Sequence, residues 1–122
     1  MFRESEEFCW GVADQVHWSA RPIVVEQLKK GVEFRSVFPE DIVPPEGYQP
    51  VIGVERRFLP KVDVVVVLTD KEAVFGLPLL SGKMDYAQFA SKDPVFRKWC
   101  QDLFLHYWDE GKPLIGPFPN LV

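Results

Sequence analysis

Four consecutive valines, Val64–Val67, followed by Leu68, do most to limit the folds open to this chain. β-Branched side chains lose rotamer freedom in a helix and pack well on a pleated surface. An apolar run without alternation fits a strand covered on both faces. The stretch 62–68, VDVVVVL, therefore predicts a central strand. The polar turn Thr69-Asp70-Lys71-Glu72 then leads into a second apolar segment, 73–79, AVFGLPL, which returns beside the first as a hairpin. Pro78 lies near its end, where a missing backbone donor costs little pairing.

The N-terminal third predicts a β-α-β unit. Residues 7–13, EFCWGVA, read as a buried strand that Asp14 and Gln15 interrupt. Ser19 suits a helix N-cap, and Pro22 is tolerated in a first turn whose N–H groups lack partners. The helix runs to about Lys30, with Val24, Val25 and Leu28 as its apolar face and Gly31 as a left-handed stop. Residues 32–38, VEFRSVF, then alternate: Val32, Phe34, Ser36 and Phe38 on one face, Glu33, Arg35 and Val37 on the other. So short a crossover makes the two strands parallel and the connection right-handed.

Residues 39–50, PEDIVPPEGYQP, hold four prolines and a glycine, and form a long connection that serves as a lid over a pocket or as a spacer. A short strand, 53–59, stops at Pro60. After the hairpin, Asp85 with Gln88 resembles a capping box and predicts a short helical stretch over 86–90. Asp93 as N-cap with Pro94 at the first helical position starts a long helix that Gly111 ends near Glu110. Phe96, Trp99, Cys100, Leu103, Phe104 and Tyr107 form its packing stripe, with Leu105 and Trp108 off it. The expected architecture is an α/β domain over residues 1–112, with a mixed five-stranded sheet and a long C-terminal helix, followed by a Pro-rich tail over 113–122.

Composition now removes several functional classes. A chain of 122 residues with 47% apolar content supports one folded domain. Its net charge of −4 and pI near 5.2 argue against unaided nucleic-acid binding, which needs clustered Lys and Arg. No segment approaches the ~20 apolar residues of a membrane span, and MFRESEEF has no signal-peptide character. Cys9 and Cys100 lack metal-ligand or redox spacing and read as buried free thiols of a reducing compartment, so a cytoplasmic location is expected. Aromatic residues make up 14% of the chain, four of them Trp, and they fill either an aromatic-rich core or a pocket or interface.

No nucleophile elbow, phosphate loop, dinucleotide fingerprint or zinc-protease motif is present. The histidines are His17 and His106. His106 and Glu110 are i, i+4 neighbours, but a His at a helix C-terminus is favoured there without any ligand. Neither a catalytic set nor a metal or cofactor is expected. A binding site is expected where α/β proteins place ligands, at the C-terminal ends of parallel strands: Asp14, Gln15, His17 and Trp18 follow the first strand, and the residues after Phe38 follow the second. Arg35, Arg56 and Arg57 on strand faces pair with acids or await an anion. The ligand-binding candidates are Trp10, His17, Trp18, Arg35 and Arg57.

Residues 62–108 carry a familiar pattern. A valine-rich strand, a T-D-K-E turn and a strand ending in L-P are followed by Gly82, Asp85 and Tyr86, then Ser91, Asp93 and Pro94, then Trp99, Leu103, Phe104, Tyr107 and Trp108. This run resembles the effector, or middle, domain of archaeal winged-helix transcriptional regulators of the FilR type, and 31–41 suits the second strand of that family. Such a domain is similar in outline to half of a phospholipase-D-like fold. The His-x-Lys catalytic signature of that fold is absent, since His17 is followed by Trp18 and Ser19 and His106 by Tyr107 and Trp108. The resemblance implies a non-enzymatic ligand-sensing and dimerisation domain, a homodimer that meets DNA only through an attached or associated winged helix. No winged helix lies in these residues, so the resemblance implies either an excised domain or a stand-alone effector domain. The competing expectations are a small-molecule enzyme using His17 or His106, or a structural oligomerisation module.

Overall fold

The valine-rich segment lies near the middle of a six-stranded mixed sheet in the computed structural model, which describes residues 1–14, 21–42, 46–47, 51–77 and 89–113. The strands are β1 (Phe8–Val12), β2 (Glu33–Pro39), β3 (Glu55–Leu59), β4 (Val65–Thr69), β5 (Ala73–Gly76) and β6 (Phe89–Ser91), with helices α1 (Arg21–Lys29) and α2 (Pro94–Glu110). Their order across the sheet is β3-β2-β1-β4-β5-β6. β1, β2 and β3 are mutually parallel, while β4, β5 and β6 each run antiparallel to the strand before them in that order. The expected parallel β1–β2 pair and β4–β5 hairpin are therefore present.

β4 begins at Val65, three residues later than the pattern predicts. Its partners set that limit: Val12, the last residue of β1, lies opposite Val66, and Gly76, the last of β5, lies opposite Val65. Val62 and Val64 stay buried as the approach to the strand. The hairpin turn follows from Thr69, whose hydroxyl oxygen accepts from the Lys71 amide at 3.0 Å and the Glu72 amide at 3.2 Å.

The sheet has six strands where five are expected. Residues 89 and 90, read from sequence as the end of a helical stretch, belong to β6, which pairs Phe89 with Phe75 and Ser91 with Ala73. Three residues are too short to show a period of 2, and only the neighbouring edge of β5 makes them a strand. The Asp85–Gln88 pair, Ser19, and residues 114–122 of the expected tail lie outside the described residues.

A helix covers each face. α1 ends on Gly31 at φ +90°, with Val32 N–H donating to Gln27 O at 3.1 Å and Gly31 N–H to Leu28 O at 3.1 Å. That is a Schellman arrangement, and it turns the chain directly into β2. Val24 and Leu28 pack with Cys9, Val32, Phe34 and Phe2. Gln27 is buried on the same helix, and its amide nitrogen donates to the carbonyls of Phe2 and Ser5 at 3.0 and 2.7 Å, which fastens the N-terminal segment down.

α2 starts as expected, the Asp93 carboxylate accepting from Val95 N–H and Phe96 N–H at 2.8 and 3.1 Å. Its buried stripe is Cys100, Phe104 and Trp108, spaced i, i+4, i+8 over β1 and β4. Trp108 therefore belongs to the core, and Trp99, expected inside, is 49% exposed. The helix is rotated from the expected stripe because Phe104 stacks on Trp10 at 5.2 Å and on Trp108 at 5.8 Å. Those three rings fill the space over the β1–β2 side of the sheet.

Asp70 ties the hairpin turn to the N-terminus. Burial alone would raise its pKa, but its carboxylate accepts from the amides of Glu7 at 3.1 Å and Glu6 at 3.0 Å, and its pKa lies below the ordinary aspartate value. A lowered folded pKa contributes stability above the unfolded value of ~3.9 and loses it as the pH falls through the folded value. Asp70→Asn should therefore lower unfolding stability by about 1–2 kcal/mol at pH 7. In urea titrations from pH 7 to pH 2, the gap from wild type should close below pH ~4. A gap of constant size across that range would remove the charge from the account.

Candidate functional site

The register of the parallel strands brings three of the five binding candidates together. Trp10 lies opposite Arg35 in the β1–β2 pair, and Val37 lies opposite Arg57 in the β2–β3 pair. Arg35 and Val37 share a face, so Trp10, Arg35 and Arg57 all lie on the side that α2 covers. The last turns of α2 bring Trp108 between the two arginines: the Arg35 guanidinium carbon lies 5.1 Å and that of Arg57 4.1 Å from its ring centroid. Arg35 also lies 4.9 Å from the Trp10 ring. Each stack places a cation against the negative face of an indole.

Polar contacts complete this clasp. The Trp10 indole N–H donates to Glu33 at 3.1 Å, and Glu33 also forms an ion pair with Arg35 at 3.0 Å. Arg57 donates to the Trp108 carbonyl at 2.7 Å, at the end of α2 where the helix dipole favours a cation. Beyond the helix, Lys112 and Phe58 exchange backbone hydrogen bonds of 2.9 and 3.0 Å. Gly111 permits this approach, because a Cβ there would fall 2.9 Å from Arg57 Cβ. Arg35 Nε is buried without a hydrogen-bond partner, flanked by the Trp10 and Trp108 stacks. Arg35 thus finds an acid, whereas Arg57 finds a carbonyl and an indole. Arg56, on the other face, donates to the carbonyls of Val51 and Val54 at 3.0 and 3.2 Å.

His17 and Trp18 lie outside the described residues. None of the five candidates lines the pocket that the described residues form at the strand ends. A pocket of about 340 Å³ opens at the C-terminal ends of β1, β2 and β3, between Asp14, Pro39, Asp41, Ile42, Pro60, Lys61 and Val62. Two carboxylates and an ammonium line it, with apolar walls from the prolines, Ile42 and Val62. A second, more apolar groove of about 620 Å³ runs between α1 and residues 51–53, bounded by Arg21, Val25, Leu28, Lys29 and Ile52.

Sequence reasoning missed Trp108 and Glu33 in the clasp and Lys61 at the strand ends. Trp108 has a detectable signal, the i, i+4, i+8 series Cys100, Phe104, Trp108. Lys61 has a weaker one, its place directly after the strand that ends at Pro60. Glu33 has a weak one, its i, i+2 spacing from Arg35 on one face of β2, while its other partner, Trp10, comes from β1.

Reactive side chains are sparse. Both cysteines are free and buried, and burial pushes the Cys9 thiol up to about 12 and the Cys100 thiol up to about 11. Thiols held so far above neutral pH are poor nucleophiles. Neither should react with a disulfide reagent at pH 8 in the native protein, and both should react in denaturant. Fast native labelling would contradict the buried placement. His106 is exposed and sits 3.6 Å from Glu110 one turn on. Among the described residues, no three His, Cys, Asp or Glu side chains gather as a metal site would require. No helix of the described residues is long and apolar enough to cross a membrane.

No protein-family model and no curated protein matches the chain. Solved structures do. TrmBL2, an archaeal chromatin protein whose structure shows a novel mode of DNA binding, superposes with a TM-score of 0.70 at 16% identity, over 93% of this chain and 47% of that one. Nuc, a phospholipase D family member from Salmonella typhimurium, superposes with a TM-score of 0.65 at 12% identity, over 94% of this chain and 86% of that one. At such identities the likeness is one of fold. The chain spans about half the length of TrmBL2, and shares its fold with a phospholipase D family member.

Proposed function

We propose that this chain is the regulatory half of a transcription regulator of the FilR type, a non-enzymatic domain that dimerises and receives a small effector. The observation that carries the reading is the superposition on TrmBL2, in which nearly the whole of this chain corresponds to about half of a DNA-binding archaeal protein. The net charge of −4 supports the same division of labour, with DNA contacts made by another module, attached or associated. Absence of a His-x-Lys pair from the sequence supports a non-hydrolytic role for the phospholipase-D-like fold.

The effector site in this reading is the strand-end pocket. Asp14, Asp41 and Lys61 offer acceptors and one cation, which suits a hydroxylated or zwitterionic small molecule, and the volume sits at the lower end of the range for such ligands. Trp10, Arg35 and Arg57 act from beneath, by fixing β1, β2 and β3 against α2. An effector that prefers one dimer arrangement would bias the DNA-binding module through that preference. Thermal unfolding against a panel of sugars, polyols, amino acids and nucleotides tests the site. A ligand at 100 times its dissociation constant adds about 2.7 kcal/mol, a rise of roughly 10 °C for a domain of this size. The rise should be lost in Lys61→Ala and Asp41→Ala, which alter exposed residues. A panel without any shift, or a shift that both variants keep, would count against this site.

A further inference from the structure

We infer that the β6 edge, with the exposed face of α2 beside it, is the surface through which two copies of this chain associate. This inference rests on the dimerisation reading above and gives it a location. Phe89, Val95, Trp99 and Leu77 are 71%, 78%, 49% and 55% exposed. Phe89 lies opposite Phe75 on β6 and β5, so the two share a face, and Trp99 meets Phe75 edge-on at 4.9 Å. Val95 lies one turn before Trp99 on α2, and Leu77 follows β5 directly. With aromatic side chains of ~150–250 Å² each, the exposed fractions leave an apolar patch on the order of 400 Å². That matches the largest patches found on monomers, and is about half of the ~800 Å² that each partner buries in a stable dimer.

Two features select a second copy over another partner. β6 is the last strand of the described sheet, and its outer edge carries Phe89, Ala90 and Ser91, without the charge or proline that blunts a free edge. Antiparallel pairing of such an edge with itself is two-fold symmetric, as a closed dimer requires. The rim also carries no net charge. Exposed Lys92 lies beside Asp93, which caps α2, and Lys98 is paired with Asp102 at 2.7 Å on the same helix, so the rim does not repel a second copy as a rim of one sign would.

Sedimentation equilibrium on the full chain, with Phe89→Glu, Val95→Lys and the double variant, tests the inference. These side chains are exposed, so circular dichroism spectra should match wild type. Wild type should be dimeric in the micromolar range, and the double variant should dissociate at least 100-fold more readily. A wild-type dimer that the double variant leaves intact would overturn this surface while leaving dimerisation standing. A wild type that stays monomeric to several hundred micromolar would overturn both.

Discussion

Phe104→Ala should lower unfolding stability by about 3–5 kcal/mol, the range for removing a large ring from a packed core. Phe104 is fully buried and sits midway along the buried stripe of α2. It stacks on Trp10 from β1 and on Trp108 from its own helix, so its loss opens a cavity where helix and sheet meet. A domain of this size has only about 5–15 kcal/mol of net stability, so the variant would be marginal at 37 °C. Denaturant unfolding checks the magnitude. Phe104→Leu, which refills part of the space, should recover at least half of the loss. A cost below 1 kcal/mol for the alanine variant would mean that α2 is not docked as described.

Trp108→Ala should cost a similar ~3–5 kcal/mol, by a different balance of terms. It removes the ring that lies against both Arg35 and Arg57 as well as a core contact to Phe104. Cation–π pairs contribute about 0.5–1 kcal/mol when exposed and ~2 kcal/mol when desolvated. Trp108→Phe keeps a ring face and most of the volume, and should cost less than half as much. Combining Trp108→Leu, which removes the ring face but keeps apolar bulk, with Arg57→Ala should give a coupling energy near 1 kcal/mol in a double-mutant cycle. Additive costs would show that the guanidinium and the ring share a neighbourhood without interacting. Arg57→Ala also removes the hydrogen bond to the Trp108 carbonyl, and so should loosen the join between α2 and β3.

Local signals in the sequence were legible where the physics is local. Asp93-Pro94 marks the start of α2, because cap and first-turn preferences depend on adjacent residues alone. Gly31 marks the end of α1 for the same reason, and the alternation of 32–38 sorts Phe34 and Phe38 from Arg35 and Val37. What escaped depends on pairing between distant segments. β6 exists because the β5 edge is available to residues 89–91, a condition that no pattern within FAS encodes. The sequence pattern leaves Trp108 off the stripe of α2, since the helix is turned by rings on β1, about a hundred residues earlier in the chain.

The candidate site divides along the same line. Choosing the C-terminal ends of parallel strands needed only the β-α-β reading, and a pocket is present there. The sequence marks Trp10, Arg35 and Arg57 as polar or aromatic residues on strand faces. The β1–β2 and β2–β3 registers then bring them together, and α2 closes over them. Composition could not distinguish an arginine awaiting a ligand from one stacked on an indole. That distinction depends on where the last turns of α2 land, which is a property of the whole core.

The central claim, that this domain dimerises to serve a DNA-binding partner, is tested most directly by grafting. The full chain would be fused to the DNA-binding domain of a repressor that needs dimerisation to occupy its operator, with reporter repression as the readout. The account predicts that the fusion restores repression and that the Phe89→Glu, Val95→Lys double variant abolishes it at equal protein level. A wild-type fusion that is expressed, folded and unable to repress would contradict it.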